Sequence, residues 1–121
     1  MEHQLSAYTY CNHGEGLAVL HPAYYRHIYK DGLGKFVRFA TRVWGLDPEE
    51  HESDEALALA GIDKLASFIK EMGLPASLRE LGFGEEEYKM LPEIAGSCFI
   101  SQGAFRPLTK EEILEIYKEC W

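Results

Sequence analysis

Two histidines near the start of the sequence, His3 and His13, are the residues best suited to chemistry. Neutral imidazole is the commonest transition-metal ligand in proteins, and its pKa near neutrality also suits proton transfer. The separation of ten residues does not place both side chains on one face of a single helix. A turn between Tyr10 and Gly14 would bring them together. Because a zinc or iron site needs more ligands than two, the pair predicts only part of a site.

A second candidate is the segment HGEG, residues 13–16. Its glycines would let the backbone approach a phosphate group just before a helix. No strand precedes the segment, and the G-x-G-x-x-G spacing of a dinucleotide-binding loop is absent. The segment therefore favours a tight turn between two helices over a nucleotide site.

The remaining candidates form no pattern that defines a site. Aromatic residues at helical spacing fill core gaps more often than they line a substrate pocket, which applies to Tyr24, Tyr25, His27 and Tyr29. His21 and His51 have no acidic or cysteine neighbour at ligand spacing. Ser97, Cys98 and Ser101 have no adjacent histidine that could act as a base. We assign none of them a role from the sequence.

Helices must position these residues, because the hydrophobic spacing is helical nearly throughout the chain and no convincing period-2 strand interrupts it. Two apolar stripes predict core-facing helices: Leu33, Phe36, Val37, Ala40, Val43 and Trp44, ended by Gly45, and Ala58, Ile62, Leu65, Phe68, Ile69 and Met72, ended by Gly73 and Pro75. The sequence thus predicts an all-α fold.

Capping signals mark further helices. Thr109 and Glu112 form a T-x-x-E capping box. The helix that it starts is predicted to bury Ile113, Leu114, Tyr117, Cys120 and Trp121. A similar signal at Ser77 and Glu80 predicts a short helix that ends at Gly82.

Three features disturb the helical pattern. Pro22 is expected either in the opening residues of the aromatic-rich helix or at a kink in it, and Pro92 predicts a break or a new helix start. The first helix, within MEHQLSAYTY, has no N-cap residue before it. We therefore expect that helix to begin in the middle of a turn.

Composition narrows the class of protein. The 121 residues, 46% of them apolar, are enough for one packed domain. A net charge of -8 with no basic patch argues against nucleic acid as a partner. No apolar stretch approaches the ~20 residues that cross a bilayer. Three widely spaced cysteines, Cys11, Cys98 and Cys120, suggest no disulfide framework, so a cytoplasmic protein is expected.

The stretch MEHQLSAYTYCNHGEGLAVLHPAYYRHI resembles the metal-binding region of the iron-containing (group III) alcohol dehydrogenases, particularly the NADH-dependent butanol dehydrogenase branch. The stretches FVRFATRVWGLD, FIKEMGLPASLRELGFGEE and FRPLTKEEILEIYK are similar to the rest of that branch's C-terminal domain. The H-G-x-G-L-A element is the specific part. The resemblance implies that residues 1–121 form one all-helical, bundle-like metal-binding domain of the dehydroquinate synthase-like type.

The resemblance also implies an enzyme of two domains. An N-terminal Rossmann-like domain binds NAD(P), the helical domain binds a divalent metal, iron or alternatively zinc, and a small alcohol or aldehyde reacts in the cleft between them. His13 matches the last metal-ligand histidine of the family. His3 matches a catalytic-site histidine that lies near substrate and nicotinamide and is not usually a ligand. The family's other ligands, an aspartate and two histidines, would precede Met1.

We therefore expect a domain truncated at its N-terminal end, which binds neither metal nor cofactor by itself and whose partner is the absent nucleotide-binding domain. One alternative is a stand-alone helical interaction module that exposes apolar surface and self-associates as a homo-oligomer. Another is a small metal-binding protein that uses His3, His13 and a carboxylate such as Glu2 or Glu15. The sequence leaves open the substrate alcohol, the choice of NADH or NADPH, and the metal.

Overall fold

The computed structural model describes residues 1–100 and 103–121, and every regular element in these ranges is a helix. The α-helices are α1 (Glu2–Thr9), α2 (His13–Ile28), α3 (Leu33–Arg42), α4 (Asp54–Glu71), α5 (Glu85–Ser97) and α6 (Lys110–Glu119). Short 3-10 helices cover Tyr29–Gly32 and Pro48–Glu50. The all-α prediction is confirmed. Ser101 lies outside the described residues.

Helix α2 lies between two groups of helices. It contacts α1 and α6 on one side, where α5 also packs, and α4 on the other, where α3 and α4 form a closely packed pair. The main core belongs to the first group and includes the fully buried side chains of Leu5, Ile94 and Tyr117. A smaller cluster around Ala58 and Ile62 joins the second group to α2. This arrangement leaves the α1–α2 corner at the edge of the main core.

The close approach of α3 and α4 depends on Gly61. A Cβ atom added there would lie 2.7 Å from the Cβ and 2.9 Å from the Cα of Ala40. Such distances are far below a normal carbon contact, so only glycine lets the two backbones meet. Gly45, with φ of 67°, and Gly73, with φ of 75°, follow the two helices in the left-handed conformation.

At the outer ends of α3 and α4, the structure corrects the prediction that the two apolar stripes are buried in the core. Val43 and Met72 are 62% and 63% exposed, and Phe68 is 46% exposed, although the stripes predict all three in the core. The periodicity identified the correct helical face, but this face extends beyond the neighbouring helices. Phe39, Trp44 and Phe68 instead form a half-covered aromatic group at that end.

Two local predictions fail, at residues 77–82 and at Pro92. Residues 77–82 form turns and no helix, although Glu80 N–H donates to Ser77 Oγ as a capping box requires. Leu78 N–H donates to the Cys120 carbonyl at 2.8 Å, which ties this segment to the end of α6. Pro92 lies inside α5 and does not break it. Pro22 lies inside α2 and not among its opening residues, so of the two expectations for this proline the kink remains a prediction.

The start of α6 confirms its prediction. Thr109 Oγ1 accepts from the Glu112 N–H at 3.2 Å, and the Glu112 carboxylate accepts from the Thr109 N–H at 2.8 Å. These bonds satisfy two amides that a helix start leaves unpaired. The buried face of α6 carries the predicted Ile113 and Tyr117. None of the helices in the described ranges is both long enough and apolar enough to cross a bilayer.

Candidate metal and active site

A three-residue turn, Tyr10–Asn12, reverses the chain between α1 and α2. Tyr10 ends α1 in the left-handed conformation, with φ of 57°, and its N–H donates to the Ser6 carbonyl at 2.8 Å. Asn12 caps α2, because its Oδ1 accepts from the N–H groups of Gly14 and Glu15. The glycines of HGEG therefore lie inside the first turns of α2, whereas the sequence placed them in the turn itself.

This turn brings His3 and His13 together. Their rings stack with centroids 4.9 Å apart and planes inclined by 8°. Both residues are exposed, and 54% of the His13 side chain is accessible. The prediction that a turn would unite the two histidines is thus confirmed, while their chemical roles are taken up below.

Glu2 lies beneath the pair. Among the charged residues of the described ranges it is the one that is buried, with 5% exposure. One carboxylate oxygen contacts Nδ1 of His13. The other accepts a hydrogen bond from the Ser6 hydroxyl, one turn further along α1. Sequence reasoning considered Glu2 only as an alternative to Glu15, and the structure brings Glu2 to the histidines.

The donor atoms at this corner fit part of a metal site. One ligand atom each from Glu2, His3 and His13 lies within 4.8 Å of the others. Imidazole nitrogen and carboxylate oxygen are donors that divalent iron and zinc accept. However, imidazole lone pairs lie in the ring plane, so two stacked rings do not converge on one ion. In this arrangement the corner would supply one histidine ligand to such a site, and the other ligands would come from elsewhere.

A cavity of about 330 Å³ adjoins the two histidines. Apolar side chains from α2 and from the segment before α6 line much of it: Leu17, Leu20, Phe99, Pro107 and Leu108. His21, Tyr24 and Arg106 supply its polar groups together with the histidine pair. A cavity of this composition suits a small, mostly apolar ligand.

Carboxylates pair with Arg106, which lines the cavity. Arg106 lies 2.6 Å from a carboxylate oxygen of Glu112 and 3.2 Å from one of Asp31. The hydrogen bond from Arg106, helped by the Thr109 N–H, lowers the pKa of Glu112 to about 2. Because two carboxylates already pair with the guanidinium, the cavity does not present a free positive charge to a ligand.

Two titratable groups of the cavity, His21 and Tyr24, favour their neutral forms. Burial lowers the pKa of His21, which keeps its imidazole neutral at pH 7. Burial, with the nearby Tyr25, raises the pKa of Tyr24, so its hydroxyl keeps its proton. His21 also stacks on Tyr25 with ring centroids 5.4 Å apart. No sequence pattern pointed to His21 or Arg106 as site residues, because the fold brings them together from distant positions.

The fold and this corner define an all-helical domain with a carboxylate and two histidines at the mouth of a mostly apolar cavity. The chain belongs to the Fe-containing alcohol dehydrogenase family: the model for the family's C-terminal part matches residues 1–121.

Individual relatives agree with this assignment. The chain is 34% identical to NADH-dependent butanol dehydrogenase A and 36% identical to NADH-dependent butanol dehydrogenase B, both of Clostridium acetobutylicum. These matches cover 100% and 98% of the chain but only 31% of each relative. The crystal structure of NADH-dependent butanol dehydrogenase A from Thermotoga maritima superposes with a TM-score of 0.81 at 31% identity, over 98% of this chain and 31% of that one. The chain therefore corresponds to about a third of such a protein.

Proposed function

We propose that this domain forms the metal-side wall of an active site that moves hydride between a small alcohol or aldehyde and NAD(P). The observation that carries the proposal is the exposed His13 beside His3 at the mouth of a mostly apolar cavity. When bound, the divalent metal supplies Lewis-acid stabilisation of charge on the substrate oxygen, and the nicotinamide accepts or returns the hydride. Iron is the expected metal, with zinc as the alternative.

His13 is the proposed metal ligand. Its ring is half exposed, its Nδ1 contacts Glu2, and Nε2 is the nitrogen left for coordination. One ligand cannot hold a divalent ion tightly. The proposal therefore requires further ligands, and the nucleotide-binding domain, on polypeptide other than residues 1–121.

His3 is the proposed catalytic histidine. It stacks on His13 and cannot share an ion with it in this arrangement, which supports a role beside the metal. There it would position the reactants or pass the alcohol proton to solvent, for which its exposure is suitable. The mostly apolar cavity would hold the carbon chain of the substrate.

A metal titration with a complementation assay tests the proposal. The isolated chain should bind ferrous or zinc ion weakly and reduce no NAD with butanol. Fusion to the N-terminal two thirds of a butanol dehydrogenase relative should restore alcohol-dependent NAD reduction. The His13→Ala fusion should lose both tight metal binding and activity, and the His3→Ala fusion should lose activity while still binding metal. His51→Ala, at a partly exposed histidine outside the cluster, is the matched control.

Two outcomes would contradict this function. An active His13→Ala fusion would remove the ligand role. Tight, stoichiometric metal binding by the isolated chain would instead favour the alternative of a small metal-binding protein, for which Glu2, His3 and His13 are the clustered donors. Light scattering on the same samples would show whether an oligomer completes the site.

A further inference from the structure

We propose that Glu2 is a positioning residue that fixes the tautomer and orientation of His13. Ser6 and Gly16 keep the Glu2 carboxylate in place, Ser6 by a hydrogen bond and Gly16 by leaving space for it. The inference rests on the proposed function of His13, but it concerns a hydrogen bond that needs no metal to form. Three observations carry it: the burial of Glu2, the identity of its partners, and the space that Gly16 leaves.

Burial is the first observation. A carboxylate removed from water is costly unless it is paired and hydrogen-bonded. Glu2 is 5% exposed, yet within the described residues its ion-pair partner is His13 and no lysine or arginine. A charge buried without a permanent cation contributes little to stability. Its placement therefore points to a task that the His13 ring requires.

The partners of Glu2 define that task. A carboxylate facing Nδ1 accepts a hydrogen bond from it, so the neutral ring carries its hydrogen on Nδ1 and its lone pair on Nε2. Carboxylates that hold ligand histidines in this way orient the ring and raise its basicity. The second oxygen of Glu2 is occupied by the Ser6 hydroxyl. With both oxygens engaged and the side chain 4% exposed, Glu2 is poorly placed to be a ligand itself.

The space beside Gly16 is the third observation. A Cβ atom at this position would lie 2.8 Å from Oε1 and 3.1 Å from Cγ of Glu2. Glycine is thus the residue that lets α2 pass over the carboxylate. On the other side, the Tyr117 hydroxyl donates to the Met1 carbonyl at 2.8 Å and holds the first turn of α1. Helices α1, α2 and α6 together keep Glu2 against His13.

The test measures the His13 tautomer by long-range ¹H–¹⁵N NMR on the metal-free chain, at about pH 8. The wild type should show the Nδ1–H form. Glu2→Leu should lose this preference, Gly16→Ala should weaken it by displacing the carboxylate, and Glu2→Gln should keep part of it because its amide oxygen still accepts. Glu15→Gln and Gly14→Ala are matched controls: Glu15 lies outside the cluster, and a Cβ at Gly14 meets only Asn12 Oδ1 at 3.3 Å.

Metal affinity gives a second readout. In the complemented enzyme, Glu2→Leu should weaken metal binding about 10- to 100-fold, the usual effect of removing such a carboxylate. An Nε2–H ring in the wild type, or a tautomer unchanged in a folded Glu2→Leu variant, would overturn the inference about Glu2. Because the NMR measurement uses no metal, that result would leave the ligand role of His13 standing. Conversely, a non-binding enzyme with the expected tautomer would contradict the proposed function alone.

Discussion

Two glutamates in the first turns of their helices, Glu2 of α1 and Glu112 of α6, use their carboxylates differently. Glu112 closes a capping box and pairs with Arg106, so its contacts complete the start of its own helix and tie down a nearby loop. Glu2 makes no capping bond and contacts the side chains of His13 and Ser6. One carboxylate stabilises the fold, and the other positions a side chain that could bind a ligand.

This difference separates a carboxylate with a structural role from one with a functional role. A carboxylate that is paired with arginine and backbone N–H groups is explained by stability. Stability does not explain a buried carboxylate that has no permanently charged cation as its partner. The histidine that such a carboxylate contacts is therefore a candidate for a chemical role. Substitutions of the two glutamates should therefore have different effects on the protein.

Removing the anchor of α1 should have the largest effect. Leu5 is fully buried on the helix that carries Glu2, so Leu5→Ala should lower the free energy of unfolding by about 3 kcal/mol. Urea unfolding followed by circular dichroism measures the loss. Leu74→Ala, at a position that is 38% exposed, is the control and should cost far less. Equal losses would mean that α1 is not part of the cooperative core.

Glu112→Gln should have the second-largest effect. The lost bond to Arg106 should cost about 1 to 2 kcal/mol at pH 7, a value reduced for the partial exposure of the pair. The pKa of Glu112 in the folded protein is lowered to about 2 from the usual 4.5. Its stabilising contribution is therefore fully present above pH 4.5 and lost as the pH falls toward 2.

The difference in unfolding free energy between wild type and Glu112→Gln should accordingly shrink across that acidic range. The groups facing this carboxylate are Arg106, His27 and the Thr109 N–H. Glu111→Gln makes the same change of charge one residue earlier, on an exposed side chain, and should leave stability nearly unchanged. A difference that does not depend on pH would show that the ion pair is not responsible.

The sequence predicted those parts of the fold that depend on nearby residues. The apolar stripes predicted α3 and α4, and the box at Thr109 and Glu112 predicted the start of α6. The same type of signal failed at Ser77, where packing against the end of α6 holds a turn. The periodicity also could not show that Val43 and Met72 lie beyond the reach of the core.

The candidate site was accessible from the sequence only in part. Residue type and a predicted turn were enough to bring His3 and His13 together, and resemblance supplied the roles proposed for them. Glu2 could be considered only as one of two carboxylates, because its burial depends on α2 crossing above it at Gly16. Arg106 is distant from α2 in the sequence and comes near it only when the whole chain folds. No local sequence pattern predicts this proximity.

Glu2→Met should change stability less than Glu112→Gln does. Replacing a buried charge by an apolar side chain of similar size is often neutral, since it removes the desolvation penalty together with the bond. His13 is half exposed and can turn to water, so no buried group loses its only partner. We expect a change of less than about 1 kcal/mol in either direction, measured by urea unfolding at pH 7. A loss of the size found for Leu5→Ala would show that Glu2 serves the fold and would remove its contrast with Glu112.

The smallest expected effect is a gain in stability at the turn that joins α1 to α2. Tyr10 is the non-glycine residue of the described ranges with a positive φ, at 57°, whereas Gly45, Gly73 and Gly82 take this conformation elsewhere. Its side chain is 94% exposed and contributes little packing that a substitution could lose. Tyr10→Gly should therefore stabilise the chain by about 0.5 kcal/mol, because the relief of the left-handed strain slightly exceeds the added flexibility of the unfolded chain.

Tyr10→Ala is the matched variant, since it also removes the ring but keeps the Cβ atom that causes the strain. It should give no gain, and thermal unfolding of the two variants side by side measures the difference. If Tyr10→Gly destabilises the chain as much as Tyr10→Ala does, the turn carries no strain at Tyr10. The buried carboxylate of Glu2 would then remain as the feature that distinguishes the α1–α2 corner from the capped start of α6. A gain confined to the glycine variant would show that this corner holds His3 and His13 together at a cost that other helix ends avoid.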